Sequence, residues 1–162
     1  MHVIGMDPGM TGAIAVLALD GELAQVFDMP VFAVERRAGG KTKTKRHVNV
    51  HELGTILQAY PGSVAVIEQV GPMPRDGSMQ AFQFGFGAGA LHGAAGALQL
   101  RIETATPQAW KKHFRIGADK DQARQFATRR WPAQSALFKR KLDAGRAEAA
   151  LIGLYLLETR GV

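Results

Sequence analysis

The chain has 162 residues, enough for one domain with a sizeable core, and its 46% hydrophobic and 21% charged content is that of an ordinary globular protein. It has no cysteine, which excludes disulfides and thiolate metal sites, so any metal must be held by oxygen or by the five histidines; none of these has metal-binding spacing. A net charge of +6 and a pI near 10.0 point to a polyanionic partner, either nucleic acid or an acidic membrane surface.

In chain order, Val3 to Met6 reads as a short buried strand. Ala13–Leu19 and Glu22–Met29 read as two more, joined at Asp20-Gly21, a strong hairpin signal. Residues 36–47 are polar and basic around Gly39-Gly40 and read as a mobile loop. Asn49 with Glu52 predicts a capped helix to about Ala59, followed by the turn Pro61-Gly62. Val64–Ile67 is an apolar, central strand. Gly71–Ser78 reads as a loop, and Met79–Leu98 as a long helix whose many glycines call for close packing on the sheet or on a second subunit. Arg101–Thr104 is a strand, Pro107–Lys112 a helical turn, Asp119–Arg130 a basic helix ended by Trp131-Pro132, and Ala144–Glu158 the last helix; Ser135–Lys141 is ambiguous. There is no repeat, linker or second domain. The order implies an α/β fold, a mixed sheet with helices on its faces. The apolar start carries no early Lys or Arg as a secretory signal would, and no apolar run could span a bilayer, so a cytoplasmic location is expected.

Acidic residues fall at the element ends. Asp7 closes the first strand and enters the turn Asp7-Pro8-Gly9-Met10-Thr11-Gly12; it is either a turn residue or a site carboxylate projecting from the sheet end. Glu68 ends the strand Val64–Ile67, and neighbouring strands ending at one edge would bring it beside Asp7. Two such carboxylates repel each other unless a divalent cation lies between them. Asp143 and Glu148 open the last helix. Five residues of helix is about 140° of rotation, so they cannot share a face within one helix, although Asp143 could reach the site as the residue just before the helix with Glu148 one turn inside; Asp143 also suits a helix N-cap, Glu148 is the better ligand, and Gly145 holds the same-face position three before it. The chemistry such a set supports is phosphodiester hydrolysis with two ions per site, magnesium or manganese. Lys111 or Lys112 would neutralise charge on the scissile phosphate.

The cations are clustered. Residues 1–35 contain no Lys or Arg, whereas 36–46 hold Arg36, Arg37, Lys41, Lys43, Lys45 and Arg46, and 111–146 hold eleven more against three acids. Such segregation indicates a phosphate-binding face, formed by the 36–47 segment and by 111–141.

Taken together, "IGMDPGMTGAIAV" (4–16), "VAVIEQV" (64–70) and "DAGRAEAALIGLYL" (143–156) resemble the three acidic motifs of RuvC-type Holliday-junction resolvases. "MPRDGSMQAFQFGFGAGALHGA" and "TPQAWKKHFRIGADKDQAR" are similar to RuvC-like proteins of phages and bacteria, so the resemblance covers nearly the whole chain. It implies a ribonuclease H-like fold over residues 1–162, with a five-stranded mixed sheet. It also implies a homodimer, magnesium-dependent cutting and recognition of branched DNA. By position it makes Asp7, Glu68, Asp143 and Glu148 the catalytic and metal-binding quartet. A catalytic lysine would fall in Trp110-Lys111-Lys112, and Lys120 would contact phosphate. The sequence departs from the best-known members twice. Its last acidic pair is spaced by five residues rather than three, and Gly71 stands near where those members carry an aromatic residue that stacks into the junction. Phe82, Phe84 or Phe86 is a candidate substitute.

The expectation is therefore a homodimeric resolvase, paired through helix 79–98 and making two symmetric cuts. The rival readings are a protein that binds branched DNA without cutting it, an RNA- or hybrid-directed nuclease of the same fold, and an actin-like ATPase fragment, for which 162 residues is too short.

Overall fold

The computed structural model describes residues 1–69, 71 and 77–161, with Arg36, Ala38, Lys41 and Lys43 described by their backbone. Strands β1 (Val3–Met6), β2 (Ala13–Leu17), β3 (Leu23–Asp28), β6 (Val64–Glu68) and β7 (Arg101–Ala105) form one five-stranded sheet in the order β3-β2-β1-β6-β7. β1, β2 and β3 pair antiparallel in succession, β6 pairs parallel with β1, and β7 pairs parallel with β6. This is the mixed sheet flanked by helices that the sequence implied.

Alternation along the strands divides the core in two. Val3, Ala15, Leu17, Val64 and Val66 face one side of the sheet, where they meet Trp110, Ala123, Ala127, Trp131, Phe138 and Leu151. These come from α3 (Pro107–His113), α4 (Lys120–Arg130), a 3-10 turn at Pro132–Phe138 and α5 (Ala144–Arg160). Ile4, Met6, Ile14, Val16, Ala65 and Ile67 face the other side, against Leu53, Leu57, Leu91 and Ala95 of α1 (Val50–Gln58) and α2 (Ser78–Ala97).

One helix–strand contact fixes the frame. A Cβ on Gly5 would lie 2.1 Å from the Ala149 carbonyl oxygen, and one on Gly153 would lie 2.6 Å from Leu17 Cδ1. Backbone thus meets backbone where α5 crosses β1, which glycine alone permits. Towards its N-terminus the helix meets the turn after β1, where a Cβ on Gly145 would fall 2.4 Å from the Thr11 carbonyl oxygen.

Residues 36–47 differ from the expected mobile loop. They lie in a two-stranded hairpin, β4 (Val31–Ala38) paired antiparallel with β5 (Lys41–Val48), which stands apart from the main sheet. Gly39 and Gly40 both have positive φ, 59° and 73°, as a type I′ turn requires. The dense positive charge masked the strand pattern, although Gly-Gly between Val31–Val34 and Thr42–Val48 was a hairpin signal.

α2 runs unbroken from Ser78 to Ala97, so Ser78 belongs to the helix rather than to the preceding loop; residues 72–76 of that loop lie outside the described residues. Its glycines do not all pack closely. A Cβ on Gly87 would come within 3.0 Å of the Pro8 carbonyl oxygen, but at Gly85, Gly89 and Gly93 it would meet nothing within 4 Å among the described residues. Asn49 caps α1 by accepting from the Glu52 amide at 3.2 Å. No described helix is long and apolar enough to cross a membrane.

Candidate active site

Parallel pairing of β1 with β6 sets Met6 opposite Ile67, so the next residues, Asp7 and Glu68, leave the sheet side by side at its carboxyl end. The Asp7 side chain accepts from the Gly9 amide at 3.2 Å while its own amide donates to Ala13 at 3.0 Å. Gly12 closes this turn, because a Cβ there would lie 2.1 Å from the Asp7 carbonyl oxygen. The contact of α5 with that turn brings Glu148, buried at 6% exposure, to the same cleft. Asp7, Glu68, Glu148, Lys111 and Lys120 all line this cleft, whose volume is about 810 Å³.

The carboxylates are held in different states. Burial, then the charges of Glu148 and Glu68, push Asp7 up from 3.8 to about 7. Burial also raises Glu68, against the opposing effect of the Trp110 indole, which donates to Glu68 Oε1 at 2.9 Å. Glu148 is paired twice, with Lys111 Nζ 3.4 Å from Oε1 and Lys120 Nζ 3.8 Å from Oε2.

These features also test the site for a cation. Three carboxylates lining one cleft are hard oxygen donors, and Asp7 and Glu68 leave adjacent parallel strands side by side, so the donor set fits a divalent ion such as magnesium. Among the described residues no three His, Asp or Glu side chains form a ready-made cage; Glu148 faces the two ammonium groups instead.

Of the quartet expected from the resemblance, Asp143 does not line this cleft. It is fully buried just before α5, and its carboxylate is taken up by Arg140, by the Arg140 amide at 2.8 Å and by Arg146 at 3.6 Å. Burial opposes its charge, but the Arg140 side-chain and backbone hydrogen bonds prevail and hold it below the usual carboxylate range. Arg146 also grips Asp28 of β3 through two hydrogen bonds of 2.6 and 2.7 Å. The sequence signal was present, since Arg140 and Arg146 lie three residues either side of Asp143.

The cations form a track leading from the cleft. A groove of about 470 Å³ shares Met10, Thr11 and Lys120 with the cleft and adds Arg46 and Lys141, the latter not singled out from the sequence. Lys45 reaches towards the cleft rim, its Nζ 3.6 Å from Met79 Sδ. Arg37 and Lys112 are exposed and line neither cavity. The side chains of Arg36, Lys41 and Lys43 lie outside the described residues, though the backbone register sets Arg36 opposite Lys43. Phe84 lines the cleft, whereas Phe82 and Phe86 stack on each other at 6.4 Å on the outer face of α2, exposed at 69% and 48%. Trp110, which orients Glu68, was not assigned that role from the sequence; its place beside Lys111 was the only hint.

No protein-family model and no curated sequence matches the chain. Among solved structures it is similar to Thermus thermophilus RuvC, with a TM-score of 0.60 at 16% identity over 98% of this chain and 96% of that one. It is also similar to T. thermophilus RuvC in complex with Holliday junction substrate, with a TM-score of 0.62 at 14% identity over 99% of this chain and 96% of that one. The chain has the RuvC-like, ribonuclease H-like fold.

Proposed function

We propose that this protein is a divalent-metal-dependent endonuclease that cuts Holliday junctions and other branched DNA. The observation that carries this reading is the convergence of Asp7, Glu68 and Glu148 from three separate elements onto one cleft flanked by lysines, in a chain of net charge +6. A protein that only gripped DNA would gain nothing from desolvated carboxylates beside phosphate. The solved neighbour bound to Holliday junction substrate supports branched DNA as the ligand.

Asp7, Glu68 and Glu148 would hold the metal, which when bound supplies a Lewis acid and an activated water. The rest falls to the protein's own side chains. Trp110 orients Glu68, and the turn at Gly9 and Gly12 fixes Asp7. Lys111, 5.0 Å from the centre of the Trp110 ring and in the same cleft, would neutralise charge on the scissile phosphate. Lys120, Lys141, Arg46 and the basic hairpin would guide the strand through its phosphates, which fixes register without reading sequence.

A homodimer through α2 follows from the same reading. Phe82, Gly85, Gly89 and Gly93 share an exposed face of the helix, with Phe86, half-exposed and packed on His47 of the hairpin, at its edge. Bulky rings beside an open glycine groove are suited to a second copy, and two sites related by a two-fold axis would make paired cuts.

The test is a digest of four-way junction, flap, duplex and RNA–DNA hybrid, with and without magnesium. Wild type should cut the junction and flap only with metal. Asp7→Asn should lose cleavage by a hundredfold or more while binding junction normally. Metal-independent binding with no cleavage in wild type would favour the pure binder, and preferential cutting of the hybrid would favour the RNA-directed nuclease.

A further inference from the structure

The groove of about 470 Å³ beside the cleft has two kinds of lining, and its volume is in the range that holds one small ligand. Met10, Met29 and Val31 give it an apolar floor, while Lys120, Lys141 and Arg46 line it with exposed cations. Asp28 lines it too, but both its carboxylate oxygens are taken by Arg146. Cations over an apolar floor suit an anion that carries an apolar body, as a nucleotide does, better than a bare phosphate.

Leu142 completes the wall. It is 67% exposed, and a lone exposed leucine is ordinary, but this one is held in place. It sits on the 3-10 turn Lys141–Asp143, which Asp143 closes by accepting from the Arg140 amide at 2.8 Å while its own amide donates to the Arg140 carbonyl at 2.9 Å. Ahead of the turn, Arg124 of α4 donates to the Phe138 and Lys139 carbonyls at 3.2 and 2.8 Å. The backbone on either side of Leu142 is therefore pinned, and the buried Asp143 serves to present an apolar side chain to solvent at the groove.

We propose that this groove is a nucleobase subsite. It takes one nucleotide flanking the scissile phosphate, unstacked from its neighbours, with phosphate on Lys120 and Lys141 and the base against Leu142, Met10 and Val31. Lys120 lines both cavities, so the two positions follow one another along a single strand. Phe84 belongs to the cleft and not to this groove. A continuous duplex hides its base faces in the stack, and freeing a base costs least where stacking is already broken. A branch point is such a place. The subsite thus favours branched DNA over plain duplex without any base-specific hydrogen bond. This inference rests on the nuclease reading and adds to it the conformation of the bound strand.

The experiment uses the full-length chain in EDTA, so that the DNA stays uncut, and four-way junctions carrying 2-aminopurine at each nucleotide bordering the branch point in turn. Binding should raise the fluorescence of one position severalfold as its base leaves the stack. Leu142→Ser, a change at an exposed side chain, should remove that rise. An abasic nucleotide at the same position should weaken wild-type binding about tenfold and make little difference to Leu142→Ser. Lys141→Gln should weaken binding to the intact and abasic junctions alike, because it meets phosphate. No rise at any position, a rise that survives in Leu142→Ser, or an abasic junction bound as tightly as the intact one would overturn the inference. Magnesium-dependent cutting of the same junction by wild type would then leave the nuclease reading standing. Failure of wild type to bind any of the junctions would remove both.

Discussion

Arg140 clasps Asp143 through Nη2 at 2.8 Å and Nε at 3.1 Å to the same carboxylate oxygen, while its own side chain remains 58% exposed. The pair seals a buried charge at the entrance to α5 and, with Arg146 and Asp28, ties that helix to β3. Breaking it leaves charge unpaired, which costs more than the intact pair contributes. Asp143→Asn should therefore destabilise the protein by roughly 2 kcal/mol, a value discounted for the exposed arginine. Because Asp143 is held below its ordinary value, its contribution is present at neutral pH and fades as pH falls through the acidic range. Urea melts at pH 7 and pH 3 would show the difference shrinking in acid. Manganese affinity should stay within a few-fold of wild type, whereas Glu148→Gln should lower it at least tenfold. A comparable loss of metal in both variants would return Asp143 to the ligand set.

The raised Asp7 has the opposite sign. In the folded state it takes up its proton near pH 7 instead of 3.8, so the folded state binds more protons across that window. Metal-free protein should accordingly lose stability, on the order of 4 kcal/mol, as pH rises from about 4 to 8. Asp7→Asn should be the more stable chain at pH 8 without metal. Magnesium should restore wild type and leave the variant unmoved, because a ligand stabilises only the state that binds it. Melting temperatures against pH, with and without magnesium, test this; a variant that responds to magnesium as wild type does would contradict it.

The hairpin makes a prediction about salt. Its β5 strand carries Lys41, Lys43, Lys45 and Arg46 within six residues. Removing one cation that pairs with a DNA phosphate should reduce the slope of log affinity against log salt by about one. Replacing all four by glutamine should flatten the junction-binding slope by roughly three to four while leaving metal binding unchanged. An unaltered slope would remove the hairpin from the DNA face.

The outer face of α2 can be tested without disturbing the core. Gly89→Leu and Gly93→Leu add side chains where nothing described lies within 4 Å, and each replaces glycine by a residue that favours helix by about 0.8 kcal/mol. The folded chain should keep or gain stability while a dimer built on this face falls apart, read as a halved mass in light scattering. A dimer of unchanged mass would place the pairing surface elsewhere.

Local pattern alone was enough for the five strands of the main sheet and the five helices, since period-two and helical apolar spacing, Asn49, Asp20-Gly21 and Pro107 act within a few residues of one another. It also marked Asp7, Glu68 and Glu148 as strand-end or helix-start acids, and Lys111 as a neighbouring cation. The hairpin at 31–48 was missed because a strand paired only with its neighbour and open to solvent need not be apolar, so its charge read as loop.

What tertiary structure decided was partnership. Asp143 and Glu148 both read as acids at the start of the last helix. One meets Arg140 and the other lines the cleft with Asp7, because the glycine contacts at Gly5, Gly145 and Gly153 set the depth and rotation of α5 against β1. Whether a carboxylate serves as a ligand depends on which charges reach it within a few ångströms, and the distances that fix this are those between elements remote in the chain.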